Sequence, residues 1–234
     1  MVRQISGADG CKSGWVVVSQ DLETGAVSWR LAPTARDLIH GNPMPVFLAI
    51  DVPIGLVERG PRNCDMLARR IIGPRASCVF PAPIRPTLRA GSHEEASRIR
   101  SAVEGKRISC QAWAIVPKIR EVDDILRLDP GLQLRVHEVH TEVCFCYLAG
   151  GRHLINGKKS PEGRSERLAL LNVVFGSWVH AALYEKRSLG SQEDDILDAF
   201  AALWTAHRIL EGTAVTLPFE PPVDSHGLRM EIVV

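Results

Sequence analysis

The chain has 234 residues, 45% of them hydrophobic, with 28 Lys/Arg against 27 Asp/Glu and a formal net charge of +1. That is near the upper size of one compact domain and supplies enough apolar surface for a substantial core, so a single domain over residues 1–234 is expected. No run of about 18 apolar residues occurs, and Met1-Val2-Arg3-Gln4-Ile5 enters a strand-like pattern at once, so neither a membrane span nor a signal peptide is indicated and a soluble, cytoplasmic protein is expected.

Gln4 to Asp9 reads as a short strand ending in Gly7-Ala8-Asp9-Gly10, followed by a second strand, Gly14 to Ser19. Asp21 to Gly25 makes the next turn, and Val27 to Leu31 is the third strand. Thr34 to Ile39 carries an N-cap candidate and reads as a short helix closed by Gly41-Asn42-Pro43. Val46 to Ile50 is apolar on both faces, as a buried central strand should be, and it stops at Asp51-Val52-Pro53. The first and fourth strands therefore both end in Asp.

Helical stretches follow at Arg62 to Ile72, Glu94 to Glu104 and Ser109 to Leu128, the last interrupted near Pro117, with a Pro-rich loop around Pro81, Pro83 and Pro86. From Arg59 to Arg127 there are 14 Lys/Arg against 7 Asp/Glu, which leaves the remainder net acidic. This helical, basic insertion over 58–130 is either the electrostatic footprint of a phosphate backbone or a set of solvated helix faces. A fifth strand is expected at Leu132 to Val136, with Glu138 beyond its end. Gly157-Lys158-Lys159-Ser160 lacks the glycine spacing of a phosphate-binding loop and reads as basic surface. Arg164 to Lys186 has helical periodicity, and the apolar Met230 to Val234 could form an edge strand, pairing within the chain or across a homodimer.

The last helix, Asp194 to Ala206, places Asp195 and Asp198 at i and i+3 on one face, with Ile196, Phe200 and Leu203 along another stripe. Asp198 is flanked by small residues, and Ala199 and Ala202 allow another backbone or a metal to approach closely. Hard divalent cations such as Mg²⁺ or Mn²⁺ require several oxygen ligands, so Asp9, Asp51, Asp195 and Asp198 are the candidate metal set, with Glu138 a further candidate. The six cysteines contain no CxxC pair, and reduced, mostly buried thiols are expected rather than disulfides. His137-Glu138-Val139-His140 with Cys144 and Cys146 does not match the usual zinc spacings. Trp15, Trp113 and Trp204 sit in apolar surroundings and read as core rather than base-stacking platforms.

Together these residues resemble, nearly end to end, the family known as domain of unknown function 429, described as predicted nucleases with an RNase H-like fold. The matching stretches are Gly7-Ala8-Asp9-Gly10-Cys11 with Gly14-Trp15-Val16-Val17, Ala49-Ile50-Asp51-Val52-Pro53-Ile54-Gly55-Leu56, and Arg62-Asn63-Cys64-Asp65. They continue with Gly73-Pro74-Arg75, Val79-Phe80-Pro81-Ala82-Pro83, Gln111-Ala112-Trp113, Pro117-Lys118-Ile119, Glu138-Val139-His140 with Glu142, and Asp194-Asp195-Ile196-Leu197-Asp198-Ala199. One departure is Thr141, which follows His140 where Pro is expected, a change read as altering a turn rather than the chemistry.

The resemblance implies an α/β fold, an RNase H-like mixed five-stranded sheet flanked by helices with a helical insertion after the fourth strand. It also implies in-line attack of water on a phosphodiester of DNA or RNA, with Asp9 bridging two Mg²⁺ or Mn²⁺ ions, Asp51 and Asp195 completing their shells and Asp198 assisting one of them. His140 is a candidate proton shuttle, and a hydrogen-bonded turn histidine is an equal reading. Lys12, Arg75, Lys118, Lys159 and Arg164 are candidates to hold phosphates. Two other classes stay open: a phosphotransferase or ATPase of the actin-like branch, and a non-catalytic binding protein that keeps the carboxylates for its fold.

Overall fold

The apolar runs of the first 50 residues build the centre of the molecule. The computed structural model describes residues 3–234, so Met1 and Val2 of the expected N-terminal pattern lie outside the described residues. Strands β1 (Gln4–Cys11), β2 (Gly14–Asp21) and β3 (Val27–Ala32) form an antiparallel meander. Strands β4 (Leu48–Ile50) and β5 (Val136–Glu138) extend it in parallel, giving the order β3-β2-β1-β4-β5. This is the expected mixed five-stranded sheet, with β1 at its centre.

Successive side chains of a strand point to opposite faces, and here each face has its own core. Trp15, Val17, Leu48, Ile50 and Val136 pack with α1 (Ala35–Ile39) and α4 (Cys110–Leu128). On the other face Ile5, Val16, Val18 and Ala49 pack with α5 (Thr141–Leu148), α6 (Pro161–Phe175), α7 (Ser177–Tyr184) and α8 (Glu193–Leu210). Helices α2 (Asn63–Ile72), α3 (His93–Glu104) and α4 fill the connection between β4 and β5, where the insertion is expected.

Several boundaries differ from expectation for identifiable reasons. The fifth strand starts at Val136, because Leu132 to Leu134 lie in a 3₁₀ turn capped by Asp129, whose carboxylate accepts from the Gly131 N–H at 3.1 Å. Glu138 is thus the last residue of β5 and does not lie beyond it. The single helix expected from Arg164 to Lys186 is two helices broken at Gly176, whose φ of 56° an L residue rarely adopts. Helix α5 is not visible in the sequence pattern, since Thr141 to Cys146 are all buried and leave no amphipathic period. Helix α4 runs through Pro117 without a break, with that residue on the solvent side, where a lost backbone hydrogen bond costs least. The apolar C-terminus is used inside the chain, as β7 (Ile232–Val233) pairs with β6 (Thr216–Leu217). Among the described residues no helix is long and apolar enough to cross a membrane.

The insertion does not present its positive charge as one face. Arg62 and Arg85 are buried in ion pairs with Asp65 and Glu138 and with Asp123 and Asp224. Arg89, Arg100 and Arg127 pair with Asp124, Glu104 and Asp123, and Arg120 donates to the carbonyls of Leu88 and Ala90. Much of the basic excess therefore holds the insertion together.

Strand β1 and helix α8 are packed backbone to backbone. A Cβ at Gly7 would stand 2.0 Å from the Leu203 nitrogen, 2.4 Å from the Ala199 carbonyl oxygen and 2.6 Å from the Ala202 carbonyl carbon. The small residues of α8 admit the backbone of β1 directly. Gly7→Ala forces helix and strand apart and should destabilise the fold by about 3 kcal/mol, the upper end of overpacking costs. Urea unfolding checks this, and a loss below about 1 kcal/mol would show that the contact can relax.

Candidate active site

Two-residue periodicity and the β1–α8 contact together determine which acidic residues meet. Gly7 and Asp9 are two apart on β1 and so share the face covered by α8. The N–H of Asp51 donates to the Ala8 carbonyl at 3.0 Å, extending the β1–β4 pairing by one residue, and Asp51 lies on the same face as Ala49. Helix α8 crosses that face with Asp195 and Asp198 in its first turns. Asp9, Asp51 and Asp195 line one cleft of about 590 Å³, and Asp198, with only 1% of its side chain exposed, is buried against Lys158 of the lining.

The electrostatics reflect this crowding. Burial, then the charges of Asp198 and Asp51, hold Asp9 well above the usual carboxylate range. Burial also pushes Asp198 up to about 6, with Lys158 pulling the other way and Asp51 adding to the rise. Asp195 is raised as well, chiefly by burial, although its Oδ2 accepts from the Gln192 N–H at 2.8 Å. Two contacts orient the others: the Gly10 N–H donates to Asp9 Oδ1 at 2.8 Å, and the Thr141 hydroxyl donates to Asp51 Oδ2 at 2.8 Å. Thr141, expected to affect only a turn, instead supplies a hydroxyl directly to a site carboxylate.

Lys158 also escaped the sequence reading, in which its loop was basic surface. Its ammonium donates to Asp198 Oδ2 at 2.7 Å and lines the cleft, and the charge of Asp198, followed by those of Asp9 and Asp51, raises its pKa. A spacing argument could have found it only if the loop's path across the end of α8 were known.

Glu138 lines the cleft as well, but its carboxylate is already engaged. It pairs with Ile50 in the β4–β5 register, and Ile50 belongs to the core on the opposite face from Asp51. Its carboxylate accepts from Arg62 at 2.6 and 2.7 Å and from the Ile54 N–H at 2.6 Å. Arg62, 2% exposed, also binds Asp65 and donates to the carbonyls of Ile54 and Gly55. The donor atoms of Cys64, Asp65 and Glu138 lie within 4.8 Å of one another, a spacing a metal ion can use. Arg62 already takes both carboxylates, so this cluster is a buried ion pair that anchors the chain after β4.

The remaining candidates divide. His140 lines the cleft as the residue before α5, and its Nδ1 is buried without a partner. Arg75, Lys118 and Lys159 line the cleft too. Arg75 is partly engaged by Glu142 at 3.3 Å, a carboxylate that Arg167 holds at 2.7 and 2.9 Å, and Lys118 lies 4.9 Å over the ring of the buried Trp15. Lys12 and Arg164 do not line it: Lys12 is exposed in the β1–β2 turn, and Arg164 faces Glu193 at 3.8 Å. His137 meets Glu231 and Cys144 meets Thr205, so neither takes part in a zinc-type cluster, and all six cysteines are free thiols.

A family model described as "Protein of unknown function (DUF429)" matches residues 7–223. No curated protein and no solved structure shows significant similarity to the chain.

Two outcomes follow from this geometry. A carboxylate with a raised pKa holds its proton more tightly in the folded chain than in the unfolded one, so its contribution to stability is present below the ordinary Asp value and is lost as pH rises through the folded value. In metal-free protein the gain in Tm of Asp9→Asn over wild type should therefore be small near pH 4 and grow to a few degrees above pH 6, about 1 kcal/mol, as followed by thermal unfolding across pH. A difference that does not change with pH would mean that Asp9 carries no such strain. Glu138→Gln removes one charge opposite Arg62 and should cost about 3 kcal/mol in urea unfolding while leaving Mn²⁺ binding intact; a selective loss of Mn²⁺ affinity would return Glu138 to the metal set.

Proposed function

The chain belongs to the DUF429 family, and from the aspartates that converge on its cleft we propose that it is a metal-dependent nuclease, hydrolysing phosphodiester bonds of DNA or RNA with Mg²⁺ or Mn²⁺. The observation that carries this reading is the convergence of Asp9, Asp51 and Asp195 on one cleft with the buried Asp198 beside them, hard-oxygen donors brought from two strands and a helix. Such a set suits a hard divalent cation. Strand one, strand four and the last helix are the positions the RNase H-like resemblance implies for these carboxylates.

A bound divalent ion would supply Lewis-acid stabilisation of charge on the phosphodiester and acidify the attacking water. Asp9, Asp51, Asp195 and Asp198 would hold it. The Gly10 N–H and the Thr141 hydroxyl keep Asp9 and Asp51 oriented, a role that matters because unoriented ligands lose affinity. His140, which lines the cleft, is the candidate to take or return a proton. Arg75, Lys118 and Lys159 present positive charge along the same cleft, where a phosphate backbone would lie. Phe80, half exposed on the lining, offers an apolar surface for a base or sugar.

Purified protein incubated with Mn²⁺ and branched, hybrid, duplex and single-stranded substrates should cleave at least one of them, and Asp9→Asn and Asp51→Asn should fall to background. Cleavage by none of the panel, or equal cleavage by Asp51→Asn, would overturn the nuclease reading. Stabilisation by ATP with no cleavage would favour a nucleotide-using enzyme instead.

A further inference from the structure

We propose that Lys158 is a built-in cation of the aspartate cluster, so that the site accepts one divalent ion rather than two. This rests on the metal reading above and specifies its stoichiometry.

Lys158 Nζ lies 2.7 Å from Asp198 Oδ2. Asp198 is 1% exposed, whereas the side chain of Lys158 is 37% exposed, so the ammonium caps the buried carboxylate from the cleft side. Its charge also acts on Asp9, Asp51 and Asp195, the other members of the carboxylate set. Paired metal ions in phosphodiester hydrolases stand about 3.5 to 4 Å apart and share carboxylate ligands. An ammonium on the Asp198 oxygen occupies one of those shared positions, and a second divalent ion would have to expel it.

The loop that carries Lys158 resists such expulsion. The Ser160 N–H and hydroxyl both donate to the Gly157 carbonyl at 3.0 Å, and Ser160 Oγ accepts from the Gly163 N–H at 3.0 Å as the N-cap of α6. A Cβ at Gly163 would stand 2.0 Å from the Gly157 oxygen, so the turn sits directly on the first turn of the helix. Lys158 is thus held between two anchored residues, unlike a lysine on an open surface loop. Its charge also offsets part of the repulsion among Asp9, Asp51 and Asp198 before any metal arrives.

Calorimetric titration of Mn²⁺ into the full chain, with Mn²⁺ electron paramagnetic resonance as a second count, tests this. Wild type should bind one Mn²⁺ per chain, Lys158→Met two, and Lys158→Arg, which keeps the cation, one. Circular dichroism of the metal-free variants shows whether each has folded, and Lys158→Gln replaces Lys158→Met if that variant has not. Two ions in wild type, or a single ion with unchanged affinity in a folded Lys158→Met or Lys158→Gln, would overturn the proposal while leaving the metal site standing. No Mn²⁺ bound by any of the proteins would overturn the metal reading and this inference with it.

Discussion

At Gly7 two backbones meet with no side chain between them. A residue of any other type would place its Cβ inside the van der Waals surface of α8 and push the helix outward. Asp9 follows Gly7 by one pleat and Asp198 precedes Ala199 by one residue, so the contact that sets the helix on the strand also sets the two carboxylates in each other's field. Asp51 enters through the parallel β1–β4 register, and Thr141 through the first position of a helix packed against α8. The site is in this sense a consequence of close packing, and its acid–base properties follow from it.

Buried charge is managed in two opposite ways. Arg62, Arg85 and Arg167 are each sunk beside carboxylates that neutralise them, Arg62 within the lining of the cleft itself, and together they tie the chain after β4, the C-terminal segment and α6 to their neighbours. Such pairs add little net stability but are damaging to break, because each leaves an unpaired charge behind. Around Asp9, Asp51 and Asp198 the pairing is sparser, with Lys158 the cation in direct contact with one of the three. This contrast is why the Cys64-Asp65-Glu138 cluster, though tight enough for a metal, reads as architecture, whereas the looser aspartate set reads as a binding site.

The basic insertion illustrates how far charge counting reaches. Its excess of Lys/Arg is visible in the sequence, yet helix and loop geometry spend most of the arginines on internal partners. Those left facing the cleft, Arg75 and Lys118, are joined by Lys159 from a distant loop. Positive charge at the cleft thus comes from separate segments and not from a single stripe.

By itself the sequence determined the strands with strong apolar patterns, the last helix and the aspartates at their ends, because short-range periodicity and chain terminators are local properties, whereas the mixed sheet was implied by the family resemblance. The family match over residues 7–223 agrees with the motifs that suggested it. Helix α5, the start of β5 and the break at Gly176 were not legible, since complete burial erases amphipathic period, an apolar run can serve a turn as well as a strand, and a single glycine inside a helical pattern is ambiguous. Tertiary structure alone decided that Glu138 pairs with Arg62, that Thr141 holds Asp51, and that Lys158 reaches Asp198. Each of these depends on register or on contacts between residues 40 to 90 positions apart, and no local pattern encodes which face of a sheet meets which loop.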